Sequence, residues 1–517
     1  MKINEEFWLN FQISGTNLDE LYNYLLETET PLSKTQIAQF TINNVTSVQS
    51  TLAKEERLSG SIEYLPKLQF KTGDNLVFPQ FGWKKGKVAS VRGGHNPEYP
   101  TLEVLTANFD SGGSIELAAN LPDHKLNEPL VEENNPFLDP QFVVDSYVDI
   151  IADRIAISLD RNDDLVCIAG SYFPRALLVD IGIGHLNLCE AVLEMNSGGP
   201  LSTLDLIKQI EFPSDVNSQL TEFSVNYALQ EDGRFDEVGP TGETLWFLKR
   251  LEPEEVQTPP LTLRYAGTAV DTSSFPQVFH DLMVDICDEL ETYSESAPSD
   301  SFRVTLSYPH WRAGTLPLMG NLKKLFPTAV ETSRIKFDFV DAVTREKIPG
   351  WVVRPSRYIF GLRNWYEKQG IIPGSYVTIQ KGENNGEVIV KADKSRTNKD
   401  WIRTVLVGSD GGVVFTLLKQ IISCTYDERM AIMIPDISAI DSIWASPSRA
   451  KQPVEKVILS MMRELGKLNP QGQIHAQELY SAVNVIRRVP PSVILETLFT
   501  STWAHHLGDL YFKLNEE

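Results

Sequence analysis

Cysteine is scarce in this chain: Cys167, Cys189, Cys287 and Cys424 are scattered and form no CxxC pair. That spacing excludes a disulfide framework or a four-cysteine zinc site and suits buried thiols in a reducing compartment. No run of about 18 apolar residues occurs, so no helix that spans a membrane is expected. The opening MKINEEFWLNF is acidic and lacks the basic start and apolar stretch of a secretory signal, which points to a cytoplasmic protein. The HExxH, GxxxxGK[ST], GxSxG and GxGxxG patterns are all missing, which removes the common metalloprotease, P-loop, hydrolase and dinucleotide readings. The eight histidines are dispersed, and adjacent His505 and His506 would face different directions on a helix. A restriction-type nuclease needs an acid pair and a lysine at one divalent ion; Asp123-His124-Lys125 supplies an Asp-x-Lys without an evident partner acid. The expectation is therefore a non-enzymatic protein with no cofactor, no metal and no small-molecule substrate.

What is present is an ordinary globular composition, 42% hydrophobic and 22% charged, over 517 residues, enough for several compact units. The net charge of −22 argues against a polyanionic partner. The average hides an asymmetry, because Arg303 to Arg403 carries 18 Lys and Arg against 9 Asp and Glu. Screening limits what a phosphate feels to charge within about 10 Å, so a local excess matters more than the total.

The pattern along the chain predicts a multi-domain α+β protein. Residues 1–60 read as helical, with one apolar face through Leu18, Leu21, Tyr22, Leu25 and Leu26 and a second, short helix from Ser33; both a helix-turn-helix and a plain packing hairpin fit. Residues 61–130 read as a small β-barrel. Its stretch from Asn75 to Pro97, taken as a loop, has no acid but carries Lys84, Lys85, Lys87 and Arg92, a secondary basic surface. Residues 131–180 read as a linker with a helix and a hairpin. Residues 181–255 give three helices and a two-stranded wing, the order of a winged helix-turn-helix, with 4 basic against 14 acidic residues. Residues 256–405 are strand-rich, 406–450 form an α/β connector, and 451–517 suggest another winged helix.

Two segments resemble known families. GWVVRPSRYIFGLRNWYEKQGIIPGSYVTI is similar to the second half of the B-three pseudobarrel DNA-binding domain of plant transcription factors and some restriction enzymes. The likeness rests on Trp351, Tyr358-x-x-Gly361, the Trp365-Tyr366 helix start and the Pro373-Gly374 turn; Ser375 stands where the family has an acid. It implies two loops that clasp the major groove. Here these would be Ser307–Thr315, offering His310, Trp311 and Arg312, and Arg354–Arg357 with Ser356, Arg363 lying just beyond. Arginine forks suit guanine edges or phosphates, and a serine can donate to phosphate. Lys394, Arg396 and Lys399 would hold backbone. The plainer alternative pairs Arg354 and Arg357 with Asp338 or Asp341. LQEDGRFDEVGPTGETLWFLKRLEP resembles the HARE-type winged helix through Asp232, Arg234, Phe235, Val238, Gly239 and Trp246. That likeness implies a DNA-linked role, although the acidity of this copy favours protein contact. Together the readings predict a duplex-DNA-binding regulator. The alternatives are an accessory subunit of a restriction or defence system and a scaffold without DNA affinity.

Overall fold

A computed structural model describes all residues except 1, 2, 59, 128–134, 211, 213–216, 293–298, 330, 331, 385, 410, 516 and 517. The chain is mixed α+β and divides into two compact units, one of residues 1–179 with 214–223, the other of 180–213 with 224–517. No helix among the described residues is long and apolar enough to cross a membrane. The four cysteines are free, and all but Cys167 are buried.

The first unit opens with α1 (Glu5–Leu9) and α2 (Gly15–Thr28), the latter started by a capping box between Ser14 and Asn17. A two-residue strand β1 (Leu32–Ser33) leads into α3 (Lys34–Leu58), far longer than the short helix expected. Strands β2 (Ile62–Glu63), β3 (Asn75–Phe78), β4 (Lys84–Gly93), β5 (Glu103–Phe109) and β6 (Ser114–Ala119) then form a five-stranded sheet in sequence order. It is an open sheet, a meander from β3 to β6 with β2 parallel to β3, and not the small barrel expected, because β6 pairs only β5. The stretch read as a loop from Asn75 is β3, a tight turn and β4. Helix α4 (Pro140–Leu159), capped by Asp139 and opened by Pro140, is followed by β7 (Leu165–Ile168) and β8 (Ser171–Pro174). The helix and the hairpin expected here are both present, and they are packed into the first fold. Strand β8 sits between β1 and β7, and Val143, Ile151 and Ile155 of α4 are buried. The order is helix, strand, helix, helix, strand, strand, with the first strand paired to the last.

That order recurs twice further along the chain. In α5 (Ile183–Met195), β9 (Leu201–Ser202), α6 (Thr203–Gln209), α7 (Ser218–Glu231), β10 (Phe235–Glu237) and β11 (Leu245–Leu248), the sheet again runs first, last, middle. Trp246 on β11 is its buried centre, its indole N–H donating to Thr203 Oγ1 at 3.1 Å and Asn226 Oδ1 at 2.9 Å. A short helix α8 (Glu254–Gln257) and α9 (Gln277–Ile286) follow.

The next part is a curled half-barrel. It contains β12 (Ser301–Thr305), α10 (Tyr308–Ala313), β13 (Thr315–Pro317), β14 (Arg334–Asp341), β15 (Lys347–Val353), β16 (Tyr358–Phe360), α11 (Arg363–Gln369), β17 (Tyr376–Lys381) and β18 (Glu387–Ala392). Its seven strands run β12-β17-β18-β14-β15-β16-β13, antiparallel except for β14 beside β18. Trp365 and Tyr366, which the sequence marks as a helix start, are core residues. The Trp365 indole donates to Asp341 Oδ2 at 2.6 Å, and the Tyr366 hydroxyl to the Thr315 carbonyl at 2.9 Å. Burial pushes the Asp341 carboxyl up, but N–H groups of Thr344 and Val343 and the Trp365 indole hold it below the usual range.

Strands β19 (Lys394–Val407) and β20 (Val413–Cys424) form a long two-stranded ribbon, and Thr404 of β19 is also bridged in parallel to Met433. The boundary expected after residue 405 thus falls inside a hairpin. After α12 (Ile437–Trp444) and α13 (Pro447–Ala450), the third copy of the repeated order closes the chain. Its elements are α14 (Val454–Gly466), β21 (Gln473–His475), α15 (Ala476–Ile486), α16 (Pro491–Thr500), β22 (Ala504–Gly508) and β23 (Tyr511–Leu514).

Parts expected to be separate share cores inside this unit. Val238, Phe247 and Val256 pack with Trp351, Val353 and Tyr358, and α9 and the ribbon pack with the last three helices. Gly374 marks one such joint. Its φ is +90°, its N–H donates to the Leu306 carbonyl at 2.7 Å, and its carbonyl accepts from Asp427 at 2.9 Å. An added Cβ would lie 2.5 Å from the Ala431 backbone. Gly374→Ala therefore lowers stability by about 2 kcal/mol or more in denaturant unfolding, through left-handed strain and a backbone clash. A neutral result would show that the joint can shift.

Candidate nucleic-acid interface

The first loop expected to grip DNA is a helix, and much of it is covered. Ser307 starts α10, Gly314 ends it in the left-handed region, and Tyr308, Pro309, His310 and Ala313 are buried. His310 is only 3% exposed; its Nε2 lies 2.7 Å from Glu289 Oε2 and its Nδ1 2.8 Å from Thr315 Oγ1. The Trp311 indole donates to the Ile371 carbonyl at 2.8 Å. Arg312 makes a two-pronged pair with Asp441 of α12, at 2.9 and 2.6 Å. An uncovered histidine and arginine at these positions needed the C-terminal elements to lie elsewhere; α12 and α15 pack over them instead.

The second loop is exposed and partly committed. Arg354 donates to the Thr332 carbonyl at 2.7 Å, and Arg357, at φ +53°, to the Glu291 carbonyl at 3.2 Å. Neither reaches Asp338 or Asp341, which take Lys347 and Trp365. Ser356 is half-buried between them. Arg363 lies 3.7 Å from Glu255.

Much of the positive excess of this segment is answered by acids from outside it. Arg312 pairs with Asp441, Arg334 with Asp236, Arg363 with Glu255 and Arg403 with Glu478. A count confined to 303–403 cannot see those partners. On the ribbon the side chains of Arg396 and Lys399 are exposed and make no ion pair or hydrogen bond among the described residues. Lys394 beside them is exposed and reaches the Gln369 carbonyl. Lys419, opposite Trp401, sits 5.3 Å from that ring, and Trp401 is itself 60% exposed.

In the first unit, Lys84, Lys85, Lys87 and Arg92 all lie exposed on β4. Lys84 lies over Phe109 and Arg92 pairs with Glu116 at 3.0 Å. Among the described residues no group of His, Cys, Asp and Glu could hold a metal ion.

A buried polar chain shares only His310 and Thr315 with the sites expected from the sequence. It runs from Thr315 through His310, Glu289, Arg488 and Asp288 to Tyr480. The Arg488 guanidinium spans Asp288 at 2.7 and 2.5 Å and Glu289 at 2.8 Å, with all three side chains at most 2% exposed. Burial alone would raise the Glu289 carboxyl; Arg488 and His310 hold it well below the usual carboxylate range. A hydroxyl, an imidazole and a carboxylate in this order match a nucleophilic triad. Thr315 is fully buried and Glu289 is bound by arginine, however, so the chain ties the half-barrel to the C-terminal helices. The acid pair Asp288-Glu289 after an apolar helix, and Arg487-Arg488 ahead of two prolines, were the available signals. Comparison with protein-family models, with curated proteins and with solved structures finds no match to this chain.

Proposed function

We propose that this chain is a non-enzymatic duplex-DNA-binding protein, probing DNA with one basic face and contacting protein partners with acidic helices. The observation that carries the reading is the exposed basic row of Lys394, Arg396 and Lys399 on β19, its last two members unpaired among the described residues. A major groove admits a two-stranded ribbon, and cations free of carboxylates can release counterions from phosphate. Arg354, Ser356 and Arg357 remain available as a second contact, as the B-three-like resemblance implies. The thrice-repeated helix and strand order fits winged-helix units, one of them HARE-like. The charged residues on the third helices of the first two copies are acids apart from Arg154, which suits protein contact better than phosphate. A transcription regulator accommodates both roles.

Protein contact as the main activity, in a scaffold or an accessory subunit of a defence system, has one observation in its favour: Trp401, Leu417 and Ile421 are exposed on the same ribbon. A salt series with the full chain and random duplex DNA separates the readings. Arg396→Glu with Lys399→Glu lowers affinity at least about tenfold and makes the salt slope shallower by about two. No retention of DNA at low salt would leave the scaffold reading standing alone.

A further inference from the structure

At the foot of the ribbon a groove of about 680 Å³ opens between β19 and the C-terminal helices, within the second unit. Its volume is in the range of sites that enclose a small organic group. Three aromatic side chains, Trp401, Tyr426 and Tyr511, share its lining with Arg429, Glu428 and Glu478. The buried Arg403 fixes the wall: it donates to the Glu428 carbonyl at 2.8 Å and to the Arg429 carbonyl, and lies 3.5 Å from Glu478. Tyr426 is held by Asp400 at 2.6 Å. The Glu428 carboxylate is exposed and makes no ion pair or hydrogen bond among the described residues.

This chemistry selects against two ligand classes. A phosphate entering the groove would meet Asp400, Glu428 and Glu478 together. A purely apolar ligand would strand those charges without partners. A planar group with N–H donors on one edge and acceptors on another satisfies rings, carboxylates and guanidinium at once. Unpaired nucleobases are such groups: they stack on aromatic rings and guanidinium planes and are read along their polar edges. Guanine fits best, presenting N–H groups to a carboxylate and O6 and N7 to an arginine.

We propose that this groove binds an unpaired base, preferentially guanine, of a nucleic-acid strand whose phosphates lie along Arg396, Lys399 and Lys419. The proposal rests on the DNA-binding reading and adds to it a preference for unpaired over paired bases. The test uses the full chain, with a short matched duplex and the same duplex carrying a bulge of guanines. Binding is followed by anisotropy, and base environment by a 2-aminopurine placed in the bulge.

The bulged DNA is expected to bind at least about tenfold more tightly than the matched duplex, with 2-aminopurine quenched on binding. Trp401→Ala, at an exposed position, removes that preference and the quenching. Glu428→Gln reduces the preference for guanine over adenine in the bulge. Equal affinity for bulged and matched DNA, or a preference that survives Trp401→Ala, overturns the groove assignment and leaves salt-sensitive duplex binding intact. Failure to bind either DNA at low salt overturns both.

Discussion

Arg488→Met lowers the stability of the second unit by about 3–5 kcal/mol, since it leaves two buried carboxylates without their cation. Asp288 keeps the Tyr480 hydroxyl, at 2.6 Å, and the Leu290 N–H, at 2.9 Å, neither of them a cation, and Glu289 keeps His310, at 2.7 Å. The loss depends on pH in a defined direction. In the parent, Glu289 is held below its ordinary value, so its contribution is present above the usual carboxylate range and fades as pH falls through its lowered value. In the variant, burial is no longer opposed by Arg488 and the carboxyl takes up a proton more readily. The deficit is therefore largest near pH 7 and narrows on acidification. Denaturant unfolding of the full chain at pH 5 and pH 7.5 measures both effects. A loss below about 1 kcal/mol would mean that solvent reaches the pair and screens it.

Stability of the same unit should fall as pH rises towards 8, and Glu252 is the cause. Its side chain has no exposed surface, and burial, with Asp236 beside it, pushes the carboxyl up to about 8 against the pull of Arg334 and Lys249. A carboxyl whose folded value lies above its unfolded one favours folding fully below about pH 4.5. That contribution is lost progressively up to about pH 8. His475 works in a lower window. Burial and Arg429 bring it down to about 4, so its contribution is lost as pH falls below about 6.5. Between pH 6.5 and 8 the slope therefore reports Glu252 with little interference from that imidazole. Glu252→Gln keeps the shape of the neutral acid and leaves Arg334 its 2.6 Å pair with Asp236. The variant is expected to be flatter across this interval and more stable than the parent at pH 8, by roughly 2–5 kcal/mol. Thermal unfolding in matched buffers checks it, and an unchanged slope would remove Glu252 as the source.

Local patterns in the sequence locate most helices and strands, the free cysteines and the acidic three-helix module. Patterns of this kind reach three or four residues along a helix and two along a strand. They cannot report that Leu32 pairs with Tyr172, and so the helix and hairpin of 131–180 are legible as elements but not as the completion of the first fold. The same limit explains the site. The basic segment is real as a count, but Asp236, Glu255, Asp441 and Glu478 come from elsewhere in the chain and consume its arginines. His310 looked like a loop residue because nothing nearby announces Glu289 or Arg488. What remained legible was the run in which no acid intervenes, Lys394 to Lys399, and that run stays exposed.

The placement of the five-stranded sheet between α3 and α4 bears on how the protein is made. A chain leaving the ribosome presents β1 about 140 residues before its partner β8 exists. At roughly 5–20 residues per second, α2 and α3 wait many seconds with an apolar face uncovered. The sheet, whose pairings are all between neighbours, can close during that interval and shorten the effective loop that β8 must bridge. The insert then acts as a timed spacer: its own early folding brings α4 within reach of α3.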